Sequence, residues 1–96
     1  MANYRLTKKA DSDITQLYEY GILNFGLNQA QSYLLGLYDD LDHLVQNPLL
    51  GHSADELSLG LRRFEYQSHV IFYEPEEDGV LVVRILRGEM DFRRHL

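Results

Sequence analysis

Apolar side chains recur along this chain with two different periods, and the change of period divides it. From Ala10 to Val45 they return every three or four residues, whereas after Leu61 they gather into short, nearly continuous runs. In the first part Ala10, Ile14, Leu17, Tyr18, Gly21 and Phe25 draw one stripe, which gathers side chains on a single helical face. Thr7 stands where its hydroxyl can accept from the first free amides of that helix, and Gly26 offers a left-handed stop. Asn28 is placed to cap a second helix. Its stripe is Ala30, Tyr33, Leu34, Leu37, Leu41, Leu44 and Val45, and it ends at Asn47-Pro48 because a residue before proline leaves the helical region. The joint is tight, so the two helices run antiparallel. Leu35 and Tyr38 widen the second apolar face beyond what one sheet needs.

The second part reads as strands at Leu61 to Tyr66, Val70 to Glu74 and Val80 to Leu86. They are joined by Gln67-Ser68-His69 and by the segment Pro75 to Gly79, both short enough to make an antiparallel meander. The last run is apolar almost throughout, which predicts a strand covered on both faces. It is placed to pair with its hairpin neighbour and with a short N-terminal strand at Tyr4 to Leu6. Pro48 to Gly60 reads as a connector pinned over the core. The predicted fold is α+β: an N-terminal strand, a two-helix antiparallel hairpin packed on a small antiparallel β-sheet, and a short C-terminal tail or helix after Arg87. One domain spanning residues 1–96 fits the length.

Composition narrows the chemistry. Cysteine is absent, which excludes disulfides, thiolate metal sites and thiol nucleophiles and fits a reducing cytoplasm. No run approaches the roughly 20 apolar residues of a membrane span, so no membrane role is expected. The net charge of −6 is unevenly spread. Between Ala10 and Gly60 lie eight acidic residues and no Lys or Arg; the nine basic residues are Arg5, Lys8, Lys9, Arg62, Arg63, Arg84, Arg87, Arg93 and Arg94. The middle attracts a basic partner, and the C-terminal stretch can dock on an acidic one.

A reaction centre is hard to assemble from these residues. His43, His52, His69 and His95 stand in a helix, a connector, a turn and the tail, with no shared metal spacing. The carboxylate pairs Asp39-Asp40 and Glu76-Glu77 read as solvated, and no phosphate-binding glycine loop occurs. No catalytic residue, metal or cofactor is therefore assigned. Arginine is the informative type, because its planar guanidinium grips carboxylates and phosphates in a bidentate manner. Arg84 and Arg87 point to opposite faces if their strand continues, and Arg93 and Arg94 add charge beyond Met90, Asp91 and Phe92. The competing structural expectation is that Arg84 and Arg87 close ion pairs with Glu65 or Asp91.

The ordered set Asn47-Pro-Leu-Leu-Gly51, Glu56-Leu57, Gly60-Leu-Arg-Arg-Phe64, His69-Val-Ile-Phe-Tyr73, Ile85-Leu-Arg87 and Met90-Asp-Phe-Arg-Arg-His-Leu96 resembles the ParE branch of the ParE/RelE toxin superfamily. Gly88-Glu89 departs from that pattern, where many relatives carry His and Arg. The resemblance implies the toxin of a bacterial type II toxin-antitoxin pair, which binds and inhibits DNA gyrase and is held inactive by a ParD-like antitoxin in a hetero-oligomer. On that reading Arg84, Arg87, Met90, Asp91, Arg93 and Arg94 form or support the target-binding surface. Leu17, Tyr18, Leu34, Leu35 and Tyr38 are candidates for the antitoxin contact. Two alternatives stand beside it: a ribosome-dependent ribonuclease of the RelE type using Arg62, Arg63, Arg84 and His95, and a non-toxic module that only occupies an antitoxin.

Overall fold

A computed structural model describes residues 3–96. In chain order the elements are β1 (Asn3–Leu6), α1 (Lys8–Phe25), α2 (Leu27–Gln46), β2 (His52–Ser53), β3 (Arg62–Tyr66), β4 (His69–Glu76), β5 (Gly79–Arg87) and α3 (Phe92–His95). The five strands form one sheet in the order β1-β5-β4-β3-β2. The meander β3 to β5 is antiparallel, as expected, β2 adds an unexpected antiparallel edge, and β1 joins β5 in parallel, so the sheet is mixed where an antiparallel one was expected. A parallel neighbour needs a long crossover, and the entire helical hairpin serves as part of it.

Thr7 caps α1 as predicted, accepting from the Ala10 amide at 3.0 Å. The second cap differs from expectation. Gly26, at φ 89°, ends α1 and begins α2 with no side-chain cap, and Asn28 lies one residue inside the new helix. A single glycine can make both turns because positive φ costs it nothing, which leaves no room for a separate capping residue. The connector also holds more order than a loop: His52 and Ser53 pair with Arg63 and Arg62.

Each face of the sheet has its own core, because side chains alternate along a strand. Ile71, Tyr73, Val80, Val82 and Ile85 face the helices and pack with Ala10, Ile14, Leu37, Leu41 and Leu44. Val70, Phe72 and Leu86 face the other way, where Ala54, Leu61, Met90 and Phe92 from the connector and the C-terminal segment cover them. The predicted double burial of the last strand is thus observed, and the tail is one of the covers. Inside the first core the Tyr73 hydroxyl donates to the Pro48 carbonyl at 2.8 Å and accepts from the Gly51 amide at 3.0 Å, fixing the start of the connector. A Cβ on Gly51 would overlap the Arg63 carbonyl and this hydroxyl.

Replacing Gly51 with alanine is expected to destabilise the fold by about 1–3 kcal/mol, the usual range for overpacking. Urea unfolding checks it, and an unchanged midpoint would show that the connector can move aside.

Candidate target-facing and partner-facing surfaces

The pairing of β1 with β5 stops at Leu6 and Val82; the Val83 carbonyl accepts from the Thr7 hydroxyl at 2.7 Å, and beyond it the outer edge of β5 has no strand partner among the described residues. There the register with β4 slips, Phe72 opposing Arg84 and Tyr73 opposing Val82, and Val83 is the extra residue of a bulge. Arg84, paired opposite Phe72 on the face away from the helices, reaches round this edge of β5 to α1. Its guanidinium meets Asp13 through Nε to Oδ2 at 2.8 Å and Nη2 to Oδ1 at 2.9 Å, while Nη1 donates to the His95 carbonyl at 2.8 Å. Asp13 also accepts from the Ile85 amide at 2.9 Å, satisfying a donor on the uncovered edge. The two side chains are only 14% and 9% exposed, which makes this a largely buried clasp joining α1, β5 and α3. The hydrogen bond to Asp13 raises the pKa of Arg84, and the cation persists throughout. An internal ion pair was the structural expectation for Arg84, but Asp13 is its partner in place of Glu65 or Asp91.

The other basic residues at this end are placed differently. Arg87 is half exposed and stands 3.5 Å from Glu89, itself largely solvated. Asp91 serves as the N-cap of α3, accepting from the Arg93 amide at 3.2 Å. Met90 and Phe92 are partly buried on the second core, with Phe92 edge-on to Phe72 at 4.9 Å and the Arg63 guanidinium 5.4 Å from its ring centre. Arg93 and Arg94 are exposed, and Arg93 reaches the Glu56 carbonyl at 3.4 Å.

Of the four side chains of the nuclease alternative, Arg84 and His95 line one cavity together with His69 and Arg87, and Arg62 and Arg63 lie outside it. Arg62 donates to the carbonyls of Leu49 and Gly51, Arg63 lies over Phe92, and Arg84 is held by Asp13. His95 enters the clasp through its backbone carbonyl.

His69 is the residue whose surroundings sequence reasoning missed, since it reads as a turn position. It begins β4, and its Nδ1 lies 2.7 Å from the hydroxyl of Tyr33, which also accepts from the Ser68 amide at 3.2 Å. Burial first, then the nearby Arg87, holds its pKa below the ordinary 6.5, with Glu89 and Asp13 acting the other way. In the folded protein the ring is therefore neutral over a range where an unfolded chain already takes up a proton. Stability falls as pH drops through 6.5 toward the lower folded value, and it is fully present above 6.5. His69→Gln is expected to flatten the fall in stability as pH drops through 6.5, read as the difference between wild type and variant in urea midpoints. Parallel curves would show that His69 titrates alike in both states.

The helical hairpin is the second notable surface. From Tyr20 to Tyr38 there is no Asp, Glu, Lys or Arg. This uncharged stretch exposes Tyr20 (51%), Leu23 (86%), Phe25 (58%), Leu27 (51%) and Leu35 (65%). An uncharged patch with aromatic side chains is the composition of an interface centre. Of the five residues predicted for partner contact, Leu35 is exposed; Leu17, Leu34 and Tyr38 are partly buried against the first core, and Tyr18 is half-buried.

Residues 4–92 match the family model described as ParE toxin of type II toxin-antitoxin system, parDE. The chain belongs to the ParE toxin family. The curated relative Toxin ParE1 of Mycobacterium tuberculosis is 31% identical over 96 residues, covering 99% of this chain and 98% of the relative. Toxin ParE1 of Caulobacter vibrioides is also 31% identical, with 100% and 99% covered. Among solved structures, a chain of the chromosomal ParDE toxin-antitoxin system from P. aeruginosa superposes with a TM-score of 0.79 at 19% identity, over 93% of this chain and 98% of that one. A chain of the YoeB-YefM complex from Staphylococcus aureus gives 0.60 at 14% identity, over 90% and 95%. The RelE/ParE-like α+β fold expected from the sequence is thereby established. Among the described residues no helix is long and apolar enough to cross a membrane.

Proposed function

We propose that this ParE-family toxin acts in the cytoplasm by docking on DNA gyrase and not by turnover, and that a ParD-like antitoxin neutralises it in a hetero-oligomer. The observation that carries the first part is the state of the C-terminal arginines. Arg93 and Arg94 stand exposed on α3, which Phe92, the Asp91 cap and the Arg84 clasp hold in one place. In this arrangement Arg93, Arg94 and Asp91 face the target, Arg87 flanks them, and Arg84 and Met90 support them from beneath. Binding through a held set of guanidinium groups requires no proton transfer, and of the arginines that ribonuclease chemistry would draw on, Arg62 is bonded to the carbonyls of Leu49 and Gly51 and Arg84 to Asp13.

Double charge reversal, Arg93→Glu with Arg94→Glu, is expected to abolish growth arrest and gyrase inhibition while leaving the thermal midpoint nearly unchanged, because both sites are exposed. Undiminished inhibition of supercoiling by the folded variant would reject the assignment. These point changes are cleaner than deleting Met90 to Leu96, which would uncover Phe72.

The acidic, partly uncharged middle supports the antitoxin half of the reading. A basic amphipathic segment laid over the hairpin would cover Leu35 and meet Leu17, Tyr18, Leu34 and Tyr38 at its margins, with its own Lys and Arg opposite Asp39, Asp40 and Asp42. Leu35→Glu is expected to weaken the antitoxin complex at least tenfold by calorimetry with no loss of helicity, since the side chain is solvent-exposed in the free toxin. Equal affinity would move the contact elsewhere.

A further inference from the structure

Between the helical hairpin and the bare end of β5 lies a groove of about 350 Å³ with chemically distinct sides. The helices supply a largely apolar side built from Leu17, Tyr20, Phe25 and Tyr33, with Gln29 adding an uncharged amide. Gly21 and Ala30 deepen it by being small: a Cβ on Gly21 would stand 3.2 Å from that of Ala30, so the helices approach closely and leave space beside them. The sheet supplies a polar side of Ser68, His69, Arg87 and Glu89. Tyr33 joins the two sides, its ring among the apolar residues and its hydroxyl bonded to the Ser68 amide and His69.

We infer that this groove seats an extended segment of the antitoxin carrying an apolar side chain with a carboxylate within two residues of it. The occupant follows from charge and shape. No charged residue lies on the helical side, so an aliphatic or aromatic side chain can enter it without stranding an ion. On the polar side Arg87 is the cation, and its hold on Glu89 is an exposed contact of 3.5 Å, the kind that contributes little and exchanges readily. An incoming carboxylate displaces Glu89 and takes a bidentate place on the guanidinium. Arg84, the neighbouring cation, is unavailable because Asp13 occupies it. The identity of the partner rests on the antitoxin reading; the ligand chemistry does not. A predominantly basic antitoxin segment over the hairpin and one acidic residue at Arg87 are compatible, since the local charge changes sign between the two places.

The test is selection of random twelve-residue peptides displayed on phage against the immobilised full chain. Enriched sequences are expected to pair Leu, Ile, Phe or Trp with Asp or Glu at that spacing. A synthetic peptide from the pool should lose about tenfold in affinity on Tyr20→Ala and on Arg87→Glu. Changing its acid to lysine should restore binding to Arg87→Glu alone. Both variants alter exposed residues, and circular dichroism confirms their fold. No enrichment above background, or peptides bound equally by wild type, Tyr20→Ala and Arg87→Glu, would overturn the inference. An antitoxin that binds wild type and Arg87→Glu alike, yet loses affinity for Leu35→Glu, would sink the groove assignment and leave the antitoxin reading standing.

Discussion

Replacing Asp13 by alanine is expected to lower the unfolding free energy by about 3–5 kcal/mol, one of the two largest effects of any single change proposed for this chain. The carboxylate receives three hydrogen bonds, two from Arg84 and one from the Ile85 amide, in a place where the paired side chains are 14% and 9% exposed. Its removal leaves a guanidinium without a counter-ion and a strand-edge donor without an acceptor, and both lost their water on folding. Asp13→Asn keeps an acceptor for Ile85 but not the charge, so it should cost less. Asp13→Ala combined with Arg84→Met should recover part of the loss, because no uncompensated cation remains. The effect should also reach α3, where Arg84 holds the His95 carbonyl: amide exchange at Arg94 and Leu96 should quicken by more than the global change in stability explains. Urea unfolding and hydrogen exchange measure these outcomes, and a loss below about 1 kcal/mol would mean that water replaces the carboxylate without difficulty.

Much of the architecture was legible because periodicity reports which face of an element is buried. The stripes from Ala10 to Phe25 and from Ala30 to Val45 are α1 and α2, and the apolar runs around Val70 and Val80 are β4 and β5. What escaped are features set by contacts between distant residues. The parallel docking of β1 depends on where β5 passes, and nothing in Tyr4 to Leu6 encodes a direction. Local residues likewise could not announce β2, a two-residue strand whose only reason to exist is the edge of β3. Asn28 looked like a cap because its residue type favours one, yet Gly26 had already turned the chain.

The candidate surfaces divide the same way. Arginine clustering near the C-terminus could be read directly, but the difference between Arg84, held by an aspartate 71 positions away, and the exposed Arg94 could not. The bulge at Val83 decides it by placing Arg84 opposite Phe72, at the strand edge where both Asp13 and the His95 carbonyl are in reach, and bulges leave no reliable trace in a run such as Val82-Val83-Arg84. His69 was hidden for a related reason: its neighbours Tyr33 and Arg87 come from α2 and β5. The absence of charge between Tyr20 and Tyr38 was available in the sequence and becomes a candidate partner surface only once Tyr20, Leu23, Phe25 and Leu27 are seen in solvent.

Phe72→Ala is expected to cost about 3–5 kcal/mol as well, and its consequence for function separates the tail's two roles. Phe72 is fully buried on the face of β4 away from the helical hairpin, and Phe92 is set edge-on against it. Truncation removes the ring from a core that also contains Leu61, Val70 and Leu86, and it takes away the seat of the residue that begins α3. Arg93 and Arg94 would remain in the chain but lose their fixed spacing, so the entropy of ordering them would fall on the encounter with the target. The variant, assayed at a low temperature where it stays folded, should therefore inhibit gyrase poorly while still binding antitoxin through the hairpin on the opposite side of the sheet. Phe72→Leu, which refills most of the space, should restore both stability and inhibition in part. If folded Phe72→Ala protein inhibits as wild type does, the arginines act without a held geometry, and the support given by Phe92, the Asp91 cap and the Arg84 clasp is structural only.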